Sequence, residues 1–130
     1  MYSKETNNIS VSVEPFYVAE MSEPEAGKFV FGYTITLVNN GVDNVQLISR
    51  HWQIVDGVGR KTEVRGEGVV GEQPILRTGE PYTYTSGTPL PTPSGMMGGT
   101  YQMRNNEGMW FDIEIPFFSL DAPFVDQSKH

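Results

Sequence analysis

The stretch FVFGYTITL, residues 29–37, decides the fold class. Large apolar residues occupy every second position of it: Phe29, Phe31, Tyr33, Ile35 and Leu37. A period of two puts these side chains on one face of a β-strand and the smaller residues between them on the other face. The stretch therefore predicts a strand with one buried face.

The same alternation recurs along the chain. Residues 9–13 repeat it, residues 45–55 form a third strand with two mixed faces, and residues 109–115 follow a turn as the second half of a hairpin. Short strands separated by turn residues, without an amphipathic helix, predict an all-β fold. We expect a two-sheet antiparallel β-sandwich, with a small closed barrel as the alternative. The predicted core side chains are Phe31, Tyr33, Ile35, Trp52, Phe111 and Ile113.

The domain boundaries follow from where the alternation starts and stops. Residues 1–8 are predicted to be a flexible N-terminus, residues 9–120 the sandwich domain, and residues 121–130 a partly disordered tail. Pro116 is expected to end the last strand or to mark an edge. Residues 86–99, rich in Gly, Pro, Ser and Thr, are predicted to form one long ordered loop.

Composition excludes several classes of protein. The 130 residues contain no cysteine, so disulfides and zinc–thiolate sites are excluded and a reducing cytoplasm is the expected location. The net charge of −7 disfavours general nucleic-acid binding. We also expect no membrane span and no cofactor, whereas the oligomeric state, including a homodimer, is left open.

Five segments together resemble the ApaG family. They are VQLISRHW at 45–52, GEGVVGEQP at 66–74, YTSG at 84–87, GMMGGTY at 95–101 and IPFFSL at 115–120. The resemblance runs from about Ile9 to Leu120. It implies a sandwich of the fibronectin type III and immunoglobulin-like kind, a bacterial cytoplasmic location, and a gene often adjacent to a diadenosine tetraphosphate hydrolase. It also implies a link to cobalt resistance and magnesium efflux, but no defined activity. Related eukaryotic domains act as protein-interaction modules.

Residues 66–71, called here the glycine segment, match the pattern GxGxxG. In dinucleotide-binding proteins this pattern brings backbone amides close to a pyrophosphate at the start of a helix. The candidate phosphate-binding residues are Gly66, Gly68, Gly71, Arg65 and Arg77. The strand-like flanks, Pro74, and the negative charges of Glu67 and Glu72 favour the other interpretation, a turn or bulge that needs glycine conformations.

Catalytic and metal-binding chemistry lacks the required residues. The two histidines are His51 and the terminal His130, and neighbouring strand positions put His51 on the opposite face from Arg50 and Trp52. A cysteine nucleophile is absent, and the serines lack the local signature of an activated nucleophile. We therefore predict that the protein is not an enzyme and has no metal site.

The proline-rich part of residues 86–99 is the candidate partner-binding surface. Adaptable methionines stand there beside proline and small residues, and the candidate contacts are Leu90, Pro91, Pro93, Met96 and Met97. The alternative is a crossover loop in which Met96 or Met97 closes the end of the core. The sequence thus predicts a non-catalytic module for an unknown protein partner, with a nucleotide or pyrophosphate sensor that uses the glycine segment as the alternative.

Overall fold

The computed structural model describes residues 1–124, so the prediction of disorder for residues 125–130 lies outside the described residues. The described chain consists of strands joined by short connections, with two single-turn 3₁₀ helices at Ala19–Met21 and Pro24–Ala26. The strands are β1 (Tyr2–Thr6), β2 (Ile9–Tyr17), β3 (Phe29–Asn39), β4 (Val45–Asp56), β5 (Lys61–Glu67), β6 (Ile75–Leu76), β7 (Pro81–Leu90), β8 (Ser94–Asn105) and β9 (Trp110–Asp121).

The strands form two antiparallel sheets packed face to face. One sheet has the order β1-β2-β3-β7, and the other has the order β5-β4-β8-β9 with β6 paired to β4. This confirms the predicted two-sheet antiparallel sandwich. No helix in the described chain is long and apolar enough to span a membrane.

The ordered sandwich is longer at both ends than the sequence predicts. Tyr2–Thr6 forms β1, which pairs with β2 from the Tyr2–Val13 pair to the Thr6–Ile9 pair. The predicted flexible N-terminus is therefore a strand, which the polar residues of this segment did not reveal. At the other end Asp121 belongs to β9, and the buried Ala122 donates its backbone N–H to the carbonyl of Pro93 at 2.8 Å.

The core lies between the sheets, as the alternation of β3 predicts. Phe31, Tyr33, Ile35 and Leu37 are buried, and so are the predicted Trp52 and Ile113, while Phe111 is partly buried against them. The Trp52 ring lies 5.2 Å from the Tyr33 ring and 6.1 Å from the Phe118 ring, centroid to centroid. Aromatic side chains from both sheets therefore meet at the centre of the sandwich.

A β-bulge explains the two mixed faces of the third predicted strand. The pairing of β4 with β8 shifts between Leu47 and Ser49, so Ile48 has no partner in the register. Val45 and Leu47 point inward before the bulge, and Trp52 and Ile54 point inward after it. An extra residue moves the buried face from odd to even positions.

A second shift lies at Pro116. The register of β8 and β9 passes from Met97–Phe118 to Gly99–Ile115, which leaves Pro116 and Phe117 opposite Gly98. Proline lacks an N–H donor, and a bulge on an edge strand tolerates that loss. Pro116 therefore does not end the last strand, although β9 is an edge strand of its sheet.

Residues 86–99 are mostly strand, so the predicted long loop is wrong. Strand β7 continues to Leu90, strand β8 starts at Ser94, and three residues connect them. Threonine, serine, glycine and proline occupy most positions of residues 86–99, so the stretch lacks a regular alternation of large apolar residues. Pairing with β3 and β4 holds these residues in an extended conformation. Local sequence patterns do not reveal that pairing, because the partner strands are distant in the chain.

Candidate functional site

The glycines of the glycine segment make room for neighbouring groups. Gly66 lies opposite Arg50, and a Cβ at Gly66 would be 2.7 Å from the Arg50 guanidinium. Gly68 has a φ of +61°, and a Cβ there would meet the backbone carbonyl of Glu72. These two positions therefore need glycine for close packing inside the protein.

The rest of the segment is a two-residue hairpin turn. Val69 and Glu72 exchange backbone hydrogen bonds of 2.8 and 2.9 Å, and Val70 and Gly71 between them have φ values of 42° and 82°. Two consecutive residues with positive φ define a type I′ turn. This confirms the prediction of a glycine-dependent turn, and no helix of the described chain starts there.

Three backbone amides of the turn are engaged within the protein. The N–H groups of Val69 and Glu72 bond across the turn, and the N–H of Gly68 donates to the carbonyl of Ile48 at 2.8 Å. A phosphate loop instead directs successive free amides at the anion. The amides of Gly68, Val69 and Glu72 are therefore used by the fold and do not point at an anion.

The two candidate arginines lie in different places. Arg65 lines a hollow of the β5-β4-β8-β9 sheet together with Gly66 and His51. Arg77 follows β6 and lines another hollow with Arg104. The structure thus keeps Arg65 beside the glycine segment and places Arg77 away from it.

Arg50 is the basic residue that touches the glycine segment. Its Nη1 donates to the carbonyl of Glu67 at 2.9 Å and to that of Gly68 at 2.8 Å. The guanidinium therefore connects β4 to the turn, and Gly66 leaves the space for it.

A cluster of tyrosines lies behind Arg50. The hydroxyls of Tyr84 and Tyr101 are hydrogen bonded to each other inside the core. Burial raises the pKa of Tyr84 and of Tyr101, and it also raises that of Tyr33 against the smaller opposing effects of Ser86 and Arg50. These hydroxyls stay protonated at neutral pH and act as polar groups of the core.

The outer face around His51 is polar but does not form a nucleophile–base pair. His51 Nε2 lies 2.8 Å from the Glu63 carboxylate. Ser49, the nearby hydroxyl, donates to Gln102 Oε1 at 2.9 Å, and Gln102 donates to Thr100 at 2.9 Å. Within residues 1–124, no three His, Asp or Glu side chains are grouped to hold a metal ion.

The predicted partner contacts of residues 86–99 divide between core and surface. Leu90 is only 4% exposed and Met97 only 1%, so these two calls are wrong for a surface that a partner could reach. Both residues sit at inward positions of strands, where apolar side chains fill the core. Pro91 and Met96 are exposed and Pro93 is half-buried.

Thr92 holds the connection between β7 and β8 in place. Its hydroxyl accepts from Gly57 N–H at 2.8 Å and donates to the Ser94 carbonyl at 2.8 Å. These hydrogen bonds hold residues 91–93 in a fixed turn, so the connection is not an adaptable binding loop.

An apolar hollow on the outer face of the β1-β2-β3-β7 sheet was missed by sequence reasoning. We call it the Phe16 hollow; it has a volume of about 540 Å³ and is lined mainly by Phe16, Val18, Met21, Gly32, Gly87 and Pro89. Phe16 is 44% exposed, and its ring covers Gly32 at the position where a Cβ would lie. Gly32, a glycine amid large residues of β3, was the available signal, but its long-range partners Phe16 and Gly87 were not visible in the sequence.

The fold first defines the class, a small antiparallel β-sandwich domain. The chain belongs to the ApaG family, because the profile of the ApaG domain matches residues 19–105. Protein ApaG of Paramagnetospirillum magneticum is 57% identical over 123 residues, covering 95% of each chain. Protein ApaG of Methylobacterium sp. is 55% identical over 130 residues, covering 100% of each.

Solved structures agree with this assignment. The crystal structure of the putative ApaA protein from Bordetella pertussis is 50% identical, with a TM-score of 0.86 over 90% of this chain and 95% of that one. A further X-ray structure, from a structural genomics consortium, is 44% identical with a TM-score of 0.88, covering 95% and 94%.

Proposed function

We propose that this chain is a non-catalytic protein-interaction domain that binds its partner through the Phe16 hollow. The observation that carries the proposal is the exposed apolar group itself: Phe16 is held flat over Gly32, with Met21 beside it. Apolar side chains grouped in a hollow, in contrast to single scattered ones, are typical of interaction sites. As the proposed contact surface, the hollow replaces the contacts predicted from the sequence, which were Leu90, Pro91, Pro93, Met96 and Met97.

Three features support a role without catalysis. His51 is engaged by Glu63, Ser49 donates to Gln102, and the core tyrosines stay protonated. In this proposal the protein acts in the cytoplasm. The link to cobalt resistance and magnesium efflux, which the family resemblance implies, runs through the partner.

The test compares two exposed phenylalanines that each lie on a glycine. Phe117 is 48% exposed, and a Cβ at Gly98 would be 2.6 Å from its ring, so Phe117 mirrors Phe16 on the other sheet. The test variant is Phe16→Ala combined with Met21→Ser, and the matched control is Phe117→Ala. Each immobilised protein is incubated with native extract, and the bound proteins are quantified by mass spectrometry.

We expect a set of proteins that the wild type and Phe117→Ala retain and that the test variant loses. Equal retention by all three proteins would contradict the proposal. Melting curves of the three proteins show whether a loss of capture reflects unfolding. Steady hydrolysis of a dinucleoside polyphosphate by highly purified protein would overturn the non-catalytic assignment.

A further inference from the structure

Strand β7 ends its sheet, and its proline positions reveal which backbone groups are free. Pro81 pairs with Val38 and Pro89 pairs with Val30. Proline has no N–H, so within a paired strand it occupies positions that face away from the neighbour. Backbone direction alternates along a strand, and Pro81 and Pro89 are both odd-numbered. The backbone groups of the odd-numbered residues of β7 therefore point away from β3.

The pairing on the other side of β3 gives the same assignment independently. The carbonyl of Val30 accepts from Val18 N–H at 2.9 Å, so the backbone of Val30 faces the β2 side. In an antiparallel ladder a residue that bonds to one neighbour turns away from the other. The Val30–Pro89 pair is therefore not hydrogen bonded, as the proline requires.

Three residues consequently present both backbone groups at the free edge: Thr83, Thr85 and Gly87. In the described chain β7 pairs with β3 alone. The prolines at both ends limit this edge to the segment between them, which is long enough to pair with about five residues of an extended chain. Unpaired N–H and C=O groups in a row are a template for another strand.

The Phe16 hollow lies beside this edge and supplies a place for a side chain. Phe16, Gly32 and Gly87 form one cross-strand row on the outer face. A residue paired with Gly87 from an added strand would meet no side chain at Gly87 and would contact the ring of Phe16 next. A large apolar side chain fits this position.

The other face of an added strand would meet a mixed surface. A cleft of about 420 Å³ separates β7 from β5, and its lining combines the apolar Ile54, Val64 and Leu90 with the charged Asp56 and Arg60. The net charge of −7 disfavours an acidic partner. The edge and the hollow together with this charge select an extended, neutral or basic segment that carries a large apolar side chain.

We propose that the protein binds its partner by strand addition, in which an extended segment of the partner pairs with Thr83, Thr85 and Gly87 and places a large apolar side chain over Gly87 against Phe16. This mode takes affinity from main-chain hydrogen bonds and specificity from alternate side chains. The proposal rests on the proposed function and adds the partner's conformation and chemistry.

The experiment uses a phage-displayed library of random nine-residue peptides on the full chain, followed by synthesis of the selected peptides. We expect enriched peptides to alternate apolar and other residues and to lack net negative charge. The test variant is Thr85→Pro, which removes the central edge donor while leaving the backbone hydrogen bonds between β7 and β3. The matched control is Thr85→Val, which keeps the donor and removes the hydroxyl that bonds to Thr34 at 2.9 Å.

We expect Thr85→Pro to weaken peptide binding by about tenfold or more, because an acceptor left unpaired on binding costs at least that much, and Thr85→Val to bind like the wild type. Amide hydrogen exchange of the wild type gives a measurement independent of any variant. Bound peptide should slow exchange at Thr83, Thr85 and Gly87.

Other outcomes separate the two proposals. Peptide binding that is lost in Phe16→Ala but unchanged in Thr85→Pro, without protection of the edge amides, would overturn strand addition and keep the Phe16 hollow as a docking site. An absence of enriched peptides would overturn strand addition, and the extract experiment would still decide the proposed function. If an increase in protein concentration alone protects the same amides, a second copy of the chain occupies the edge. That result would overturn the proposal of a partner segment.

Discussion

The two long sides of the sandwich differ in how far side chains cover their edge strands. On one side β1 packs against β9, and side chains of β1 occupy the edge of β9. The Glu114 N–H donates to the Thr6 hydroxyl and the Ser119 N–H to the Tyr2 hydroxyl, both at 3.3 Å, while Lys4 lies 2.9 Å from the Glu114 carboxylate. We call this the closed side.

Among residues 1–124, the open side has no such cover over β7. There β5 and β7 end their sheets on either side of a cleft, and the Tyr82 hydroxyl donates to the Glu72 carboxylate at 2.8 Å from the neighbouring turn. Charged residues of β5 and the two prolines of β7 limit edge pairing on this side. The comparison shows that one sandwich can block one edge with side chains and leave a short, bounded stretch of another accessible.

The largest effect is expected where the open side is anchored in the core. Leu90→Ala should lower the free energy of unfolding by about 2–5 kcal/mol, because it leaves a cavity beneath β7. Met96→Ala, at an exposed neighbouring position, should change it by less than about 0.5 kcal/mol. Urea denaturation measures both, and equal small effects would show that Leu90 is not part of the core.

A smaller effect, of opposite sign, is expected at the turn bordering the open side. Val70 adopts a φ of 42°, which a β-branched residue disfavours and asparagine tolerates. Val70→Asn should raise the free energy of unfolding by about 1 kcal/mol, since the left-handed conformation costs most residues about that much. Gly71→Ala, at a φ of 82°, is the control and should destabilise. An unchanged or lower stability in Val70→Asn would contradict the assigned turn.

On the closed side Thr6→Val should remove the acceptor for the Glu114 N–H. We expect a loss of about 0.5–1.5 kcal/mol in thermal or urea unfolding, the usual worth of one hydrogen bond. Ser3→Ala on the same strand serves as the control, because the Ser3 hydroxyl has only a 3.4 Å contact with Ser12. A loss no larger than that of the control would mean that the edge of β9 is covered by packing alone.

The smallest effect at neutral pH is expected from the contact between Tyr82 and Glu72. Burial, with the Glu72 carboxylate as a further cause, raises the pKa of Tyr82 from 10.0 to about 12. The folded state therefore keeps a proton that the unfolded state loses, and this stabilisation is complete below pH 10 and lost as the pH rises towards 12.

Tyr82→Phe should cost less than about 1 kcal/mol at pH 7, as a partly exposed contact does. It should also make the decline in stability between pH 10 and 12 shallower, as followed by the urea midpoint at each pH. Tyr84 and Tyr101 also have raised pKa values, so part of the decline in stability remains in the variant. An identical decline in wild type and variant would contradict the contact.

Much of the fold follows from local patterns. The alternation along β3 correctly predicted which of its side chains point inward, and Trp52 and Ile113 are buried as predicted. The glycine segment is a turn, as its glycines and Pro74 indicated. These inferences hold because side-chain direction in a strand and the cost of positive φ depend on a few neighbouring residues.

Other features depend on partners distant in the chain. The alternation alone could not reveal that Tyr2–Thr6 is a strand, or that residues 86–99 continue β7 and begin β8, because β2, β3 and β4 supply the pairing. Leu90 and Met97 looked like contacts of a loop and are core residues for the same reason.

By itself the sequence determined the all-β class and the turn at the glycine segment. It also determined which positions of the alternating strands point inward, as far as each bulge. Each of these features depends on short-range sterics and burial. The tertiary structure alone decided that Phe16, Gly32 and Gly87 form one row and that Arg50 reaches the glycine segment. It also decided that, in the part of the chain that the structure describes, one edge is covered while another is free. Those arrangements depend on register between strands far apart in the chain, and a single unpaired residue such as Ile48 changes which side chains face each other.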